Sequence, residues 1–399
     1  MKSRKTIRDP IHGNIPLSEL ELMLLDTPFM QKMRRIKQNG LCFLVYPAMN
    51  STRFEHSLGV MHLAGLVADH LDLEEKQRMA LKAAGLLHDI GHCAFSHTSD
   101  KLLARMGESH EEISTHLILD SEISDILMEY GIKPDEVSDL VNGRGGFGKI
   151  ISSEIDVDKM DYLIRDSYYA GVAYGLIDLE RIIYGIKLVK GGLVISRRSL
   201  EAVESLLISR TMMYQTVYRH HTKRIVETMF SQALNDLIEN QKVSYDDFLC
   251  MDDIDLMYVS RHSGGYSQDI VERIDDRRLF KTVFQERLCL VEENFRKELF
   301  ENRENIQKKI SGDYGMEEGY VLLDLPESKM SEFMVKVEDD NGQLKRIDKV
   351  SNLARVLEKS EKEKLTFCIY TTPEETGRFE DFNPGRYIDF EQTRLGKYM

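Results

Sequence analysis

The run LKAAGLLHDIGHCAFSH, residues 81 to 97, sets the strongest condition on the fold. Its apolar residues recur at helical spacing, so the segment reads as a buried helix ending at Gly91. His88, Asp89, His92, His97 and Asp100 nevertheless fall at or just beyond that end, and His56 stands upstream in RFEHS. Burying so many ionisable groups beside an apolar helix is costly unless a cation or an anionic ligand compensates them. An adjacent His and Asp arise often by chance, and the surroundings carry the reading. Two imidazoles and a carboxylate supply most of the ligands of a divalent cation such as Mn, Fe, Zn or Mg. His92, four residues after His88, is expected on the same helical face, and His110 and Glu111 follow soon after.

With 399 residues, 42% hydrophobic and 30% charged, the chain is long enough for two or three lobes and has the balance of a globular protein. No apolar stretch approaches the roughly 18 to 20 residues of a spanning helix, and the first residues lack a signal-peptide core, so no membrane is expected and the cytoplasm is the expected location. The five cysteines are scattered without a CxxC pair, which fits reduced thiols rather than a disulfide framework or a structural zinc site. A formal net charge of −14 argues against coating nucleic acid, so an anionic substrate would have to be met by a local basic pocket.

Residues 17 to 139 are helical in pattern, and NGRGGFGK at 142 to 149 is a flexible loop, since it lacks the Lys-Ser/Thr ending of a phosphate-binding loop. A helix is expected around SEIDVDKMDYLIRDSYYAG, a hairpin at IKLVKGGLVISRR, and helix again from 199 to 240. Strand patterns appear late, in YVLLDL, FMVKVEDDNGQLKRI and LTFCIYT. The expected architecture is mainly α: a large helical body over 1 to 240, with a hairpin near 185 to 197, and a smaller C-terminal α+β lobe over 241 to 399.

Two further segments carry chemistry. IDVDKMD offers Asp156, Asp158 and Asp161 as a fourth metal ligand, and spacing does not choose among them. On a helix, Asp158, Tyr162 and Asp166 share a face with Lys159 at its edge, suited to a ligand bearing phosphate and hydroxyl groups; a solvated charged helix is the plain alternative. In LISRTMMYQTVYRHH, Arg210, Tyr214 and Tyr218 recur at four-residue steps with His220 beyond them. Such a stripe would clamp phosphate and stack a base, or would simply face the core.

Taken in order, NSTRFEHSLGV, LLHDIGHCAFSHTSD, ESHEE and IDVDKMDYLIRDS resemble the HD-domain deoxynucleoside triphosphate triphosphohydrolases, with the catalytic part of the vertebrate SAM-and-HD-domain enzymes, without a SAM domain, as the nearest likeness. The resemblance is closely spaced from about residue 5 to 225 and weaker beyond. It implies an HD-domain helical metallohydrolase fold in which His56, His88, Asp89 and Asp158 bind the metal. It also implies that His92, His97, Asp100 and His110 surround the α-phosphate, and that Gln38, Arg53, Lys159, Tyr162, Asp166, Arg210, Tyr218 and His220 hold the sugar and triphosphate. Gln38 with Asp166 would bond the 3′-hydroxyl, and Tyr218 would crowd a 2′-hydroxyl.

The implied reaction converts a dNTP to a deoxynucleoside and inorganic triphosphate. His97, oriented by Asp100, is the expected general acid, and His92 and His110 are expected to contact phosphate oxygens. The resemblance further places Lys5, Asp26, Gln31 and Arg34 at a site for an activating GTP or dGTP. Arg181, Arg198, Arg277 and Lys281 approximate basic positions at nucleotide-bridged contacts in a dimer or tetramer of the chain with itself. Thr6, Arg8 and the SRR segment at 196 to 198 depart from the family pattern and put a second activator pocket in doubt. The alternatives are an HD phosphohydrolase acting on another nucleotide, and a nucleotide- or single-strand-binding regulatory protein with a vestigial site.

Overall fold

A computed structural model of the chain describes residues 5 to 189, 192 to 326, 331 to 339 and 341 to 390. The chain divides into two units: Met1–His220 with Val243–Tyr258 and Met330–Leu357, and His221–Lys242 with Val259–Lys329 and Glu358–Met399. Sequence patterning alone puts a single boundary at 240. Residues 243–258 and 330–357 nevertheless group with the first unit, partly because of a long-range strand ladder that local patterning does not carry.

In the first unit, β1 (Lys5–Asp9) and β2 (Gly13–Leu17) form an antiparallel two-stranded hairpin. Helices follow as α1 (Glu19–Leu25), α2 (Pro28–Lys32), α3 (Arg53–His70), α4 (Glu75–Leu87), α5 (Ser96–Met106), α6 (His110–Asp120), α7 (Glu122–Glu129), α8 (Pro134–Val141), α9 (Val157–Ala170) and α10 (Leu179–Gly185). The anticipated hairpin is present as β3 (Ile186–Val189) and β4 (Gly192–Ser196), with Gly191 of its turn outside the described residues. β4 then pairs in parallel with Lys336–Glu338, which pairs with Leu344–Arg346, giving a four-stranded sheet. Next comes α11 (Leu200–Met213), which runs into a wide π-helical turn at Tyr214–Tyr218.

The helices begin where side chains satisfy their free N–H groups. Thr52 and Glu55 bond reciprocally at the start of α3, Ser109 and Glu112 do so at α6, and the Asp156 side chain accepts from Lys159 N at α9. α3 is buried along nearly its whole length and packs against α4 and α9 in one continuous core. Hydrophobic burial on several sides therefore fixes the helix from which His56 projects. Two arginines, Arg165 and Arg210, are among the largest fully buried side chains of the chain. Buried guanidinium groups require paired anions or ligands, and they mark where the core becomes a site.

The second unit contains α12 (His221–Glu239), the helix Gly265–Asp275 packed on it, and a three-stranded antiparallel sheet of Lys281–Arg287, Thr366–Thr371 and Val321–Asp324, with Thr366–Thr371 in the middle. No helix among the described residues is long and apolar enough to cross a membrane.

Candidate metal centre and active site

The helix expected to end at Gly91 ends at Leu87, with His88 as its last half-helical residue. The chain then turns, with Ile90 N donating to Leu87 O and His92 N to Asp89 O. Gly91 permits this turn to seat on α6: a Cβ there would lie 2.7 Å from Ser114 Oγ and closer still to backbone. His88 and His92 thus do not share a helical face. The turn instead puts Asp89 Oδ1 between them, 3.3 Å from His88 Nε2 and 3.4 Å from His92 Nε2.

Four side chains from three stretches meet here. His56 Nε2 lies 3.0 Å from Asp158 Oδ1 and 3.8 Å from Asp89 Oδ2, and His88 Nε2 lies 3.7 Å from Asp158 Oδ1. Of the three carboxylates left open by spacing, Asp158 faces the two imidazoles. Asp156 is spent on capping α9 and pairing Lys159 at 2.8 Å, and Asp161 sits on the far side of His56, bonded to its Nδ1 at 2.8 Å.

The donors fit a divalent cation. His88 Nδ1 contacts Gly85 O at 3.0 Å, so in the neutral ring with its proton there Nε2 is a lone pair among the oxygens of Asp89 and Asp158; burial opposes charge on this ring, but those carboxylates raise its pKa until a cation takes the proton's place. Two neutral imidazoles and two carboxylates balance a charge of +2 and suit a borderline-to-hard metal. His56, His88 and Asp158 present atoms all within 4.8 Å of one another.

The charges of the site are tightly interlocked. Burial is the largest influence on His56 and opposes its charge, but hydrogen bonds to Asp158 and Asp161 overcome it and raise the pKa to about 10. Asp89 is likewise opposed by burial and yet held well below the usual carboxylate range by Arg53, His88 and His92. Arg53 contacts Asp89 Oδ2 through Nη1 and Ser96 Oγ through Nε and Nη2. Its guanidinium thereby steadies the Asp89 carboxylate.

A second group adjoins the first through Asp89. Asp100 Oδ1 lies 3.5 Å from His92 Nδ1 and 3.3 Å from His110 Nδ1, and the two rings stack at 3.8 Å. Burial opposes ionisation of Asp100, but the two imidazoles outweigh it and lower its pKa. His97 is exposed on the first turn of α5.

On the side of the expected sugar, Tyr218 OH donates to Asp166 Oδ2 at 2.7 Å, and the ring of Tyr162 meets that of Tyr218 edge-on at 6.4 Å. Burial raises Asp166 to about 6. Gln38 Oε1, Asn39 Nδ2 and Asp166 Oδ1 are buried polar atoms without hydrogen-bond partners. Arg210 stacks over Tyr214 at 4.1 Å, and His220 meets Tyr46 edge-on at 6.0 Å. Lys159 Nζ is occupied by Asp156 and Ser153 O.

Sequence reasoning passes over Asn39, Arg165 and Asp253. Asp253 accepts from Phe95 N at 2.7 Å and Lys37 N at 2.9 Å, anchoring the left-handed residue Phe95 (φ 48°) before α5. Its only sequence signal is an acidic pair at a helix start.

Of the residues expected at an activator site, Gln31 and Arg34 are brought together, with Arg34 Nε donating to Gln31 Oε1 at 3.0 Å and its guanidinium 3.6 Å above Phe54. Asp26 is exposed at the end of α1, and Lys5 is exposed on β1. Arg181 and Arg198 are neighbours, joined by Arg181 Nη2 to Arg198 O at 3.1 Å. Arg277 and Lys281 are exposed in the second unit.

This fold and site define a mainly helical protein of the phosphohydrolase class, with His and Asp donors placed where they could hold a metal ion. The chain matches the HD domain over residues 53–166 and the HD associated region over 177–395. It belongs to the HD-domain family of dNTPase-like phosphohydrolases in which that region follows the catalytic domain. An uncharacterized protein of Methanocaldococcus jannaschii is 36% identical over 95% of this chain and 82% of its own length. The deoxynucleoside triphosphate triphosphohydrolase SAMHD1 of Homo sapiens is 29% identical over 70% of this chain, which spans 55% of that protein. Among solved structures, a phosphohydrolase from Bacteroides thetaiotaomicron superposes with a TM-score of 0.73 at 26% identity, covering 92% of this chain and 99% of that one.

Proposed function

We propose that the protein hydrolyses deoxynucleoside triphosphates to the deoxynucleoside and inorganic triphosphate, using one divalent cation held by His56, His88, Asp89 and Asp158. The observation that carries this reading is the bare, buried Nε2 of His88 among the oxygens of Asp89 and Asp158, with the His92–Asp100–His110 group directly beside it. The likeness to named triphosphohydrolases supports the choice of substrate.

A cation bound at this site lowers the pKa of a water toward neutrality and polarises a phosphoryl oxygen. The chain's own groups do the rest. His92 and His110, whose stacked rings flank Asp100, donate to α-phosphate oxygens and stabilise the charge that builds on them. His97, on the exposed first turn of α5, protonates the departing 5′-oxygen. Arg210 and Lys159 balance the remaining phosphates. Asp166 Oδ1 accepts from the 3′-hydroxyl, whose oxygen in turn accepts from the Gln38 amide, while Tyr218, fixed by Asp166, closes the space a 2′-hydroxyl would need. Activation by GTP or dGTP at Asp26, Gln31 and Arg34, in a self-assembled oligomer, extends the same reading.

The test is to incubate pure protein with each dNTP and Mn or Mg, with and without GTP, and to identify the phosphorus product. Triphosphate that disappears in His88→Ala and Asp89→Ala is the expected result. Pyrophosphate or orthophosphate would reject the proposed bond, and GTP-independent rates with an unchanged tetramer fraction would reject the activation.

A further inference from the structure

Among the described residues the β1–β2 hairpin forms no ladder beyond its own two strands, yet its turn reaches the back of the candidate metal centre. His12 Nε2 lies 2.6 Å from Asp161 Oδ1, and Asp9 Oδ2 accepts from Arg165 Nη1 at 2.8 Å. Arg165 closes the circuit, donating Nε to Asp161 Oδ2 at 2.8 Å and Nη2 to Asp161 Oδ1 at 2.9 Å. Asp9 Oδ1 accepts from Ile11 N and His12 N at 2.9 and 2.7 Å, which holds the turn in shape and aims the His12 ring. The remaining partner of Asp161 is His56 Nδ1. A carboxylate has about four lone-pair sites, and all four on Asp161 are occupied: two by Arg165, one by the hairpin and one by His56.

We propose that Asp9 and His12 are positioning residues of the metal centre: they seat the hairpin turn against Asp161 and Arg165, and through Asp161 fix the ring orientation and tautomer of His56. The proposal rests on the metal-centre reading above and adds to it that the hairpin's seating sets cation affinity. The physical reason is geometric. His56 offers Nε2 to a cation only while its Nδ1 proton is given to Asp161, and Asp161 has no freedom to follow a shifted ring because three other donors hold it. Asp161 and Arg165 are themselves fully buried, so no solvent replaces a lost hairpin bond. Movement of the hairpin is therefore transmitted to the ligand rather than absorbed by water. A structural hairpin could have closed over this core with apolar side chains; here its turn carries one anion and one imidazole, each aimed at the pair behind the ligand.

The experiment measures Mn(II) affinity by calorimetry on the full chain in the absence of nucleotide, comparing wild type, His12→Leu, His12→Gln and Asp9→Asn. Circular dichroism and thermal melting in EDTA report on the fold. Loss of a partner behind a metal-bound His typically costs about 10- to 100-fold in affinity. His12→Leu is expected to bind Mn(II) that much more weakly, while His12→Gln, which restores an N–H donor at a similar reach, stays within about threefold of wild type. If His12→Leu does not fold, Asp9→Asn carries the test, with weakened Mn(II) binding in a folded protein as its expected result. Wild-type affinity in folded His12→Leu or Asp9→Asn overturns the hairpin's role alone. A wild-type chain that binds no Mn(II) overturns the metal centre and this proposal together.

Discussion

Replacing Gly59 by alanine tests the packing behind the metal centre at its tightest point. Gly59 lies on α3 one turn beyond His56, where α9 passes closest. A Cβ added there would lie 2.6 Å from both Asp161 Cγ and Arg165 Nη2, and nearer still to Asp161 Oδ1. Ordinary contact needs about 3.5 Å, so the Asp161–Arg165 pair must retreat by about 1 Å or more. The 2.8 Å bond from His56 Nδ1 to Asp161 would then open beyond hydrogen-bonding range. Overpacking a rigid core costs about 1–3 kcal/mol. Each disturbed buried bond to a charged group is worth about 1.5–3 kcal/mol. A net destabilisation of about 4 kcal/mol is expected, together with a 10- to 100-fold loss of cation affinity. The comparison is Gly312→Ala, at a helix position where a Cβ meets nothing within 4 Å; there the usual helical gain of alanine over glycine, about 1 kcal/mol, applies. Urea unfolding in EDTA gives the first quantity and Mn(II) calorimetry the second. A Gly59→Ala protein as stable as wild type, with unchanged cation affinity, would refute the reasoning.

Three further outcomes are expected. Because hydrogen bonds to Asp158 and Asp161 raise His56 to about 10 and Asp89 and Asp158 raise His88 as well, a cation must displace protons from the pair; Mn(II) affinity should rise at least about tenfold per pH unit between about pH 6 and 8, with proton release visible in buffers of different ionisation enthalpy, whereas a flat profile would contradict the arrangement. Asn39→Leu removes a buried amide beside Asp166 that favours the ionised carboxylate, so it should raise KM for dNTPs about tenfold in a folded protein; lowered stability with unchanged KM would assign Asn39 a purely structural role. Asp253→Ala strands the N–H groups of Phe95 and Lys37 and should cost about 3 kcal/mol in urea unfolding, and a change under about 0.5 kcal/mol would show that the anchor is dispensable.

The helical character of the chain and the gathering of His56, His88 and Asp89 are legible in the sequence because both are written locally. Apolar spacing marks α3, α4 and α9, and His-Asp pairs beside such helices stand out as charges that the core has to compensate. The end of α4 falls a few residues before the position its periodicity suggests, because the apolar pattern continues into the turn, and only the approach of Gly91 to Ser114 shows why the chain must bend there. The choice among Asp156, Asp158 and Asp161 lies beyond spacing, since all three are on or beside one helix start. What separates them is which faces His56 Nε2, which caps α9, and which meets Arg165 and His12. Asp9, His12 and Asp253 look like turn or surface residues in the sequence because their partners are far away along the chain, and no local pattern encodes a bond from residue 12 to 161 or from 253 to 95. The pairing of Val194–Ser196 with Lys336–Glu338 is hidden for the same reason.

Crystals grown with Mn(II), with data collected near the manganese absorption edge, put the central claim to its most direct test. The account predicts one strong anomalous peak within about 2.0–2.3 Å of His56 Nε2, His88 Nε2 and oxygens of Asp89 and Asp158. No peak among those four side chains, or a peak confined to His92, Asp100 and His110, would contradict it.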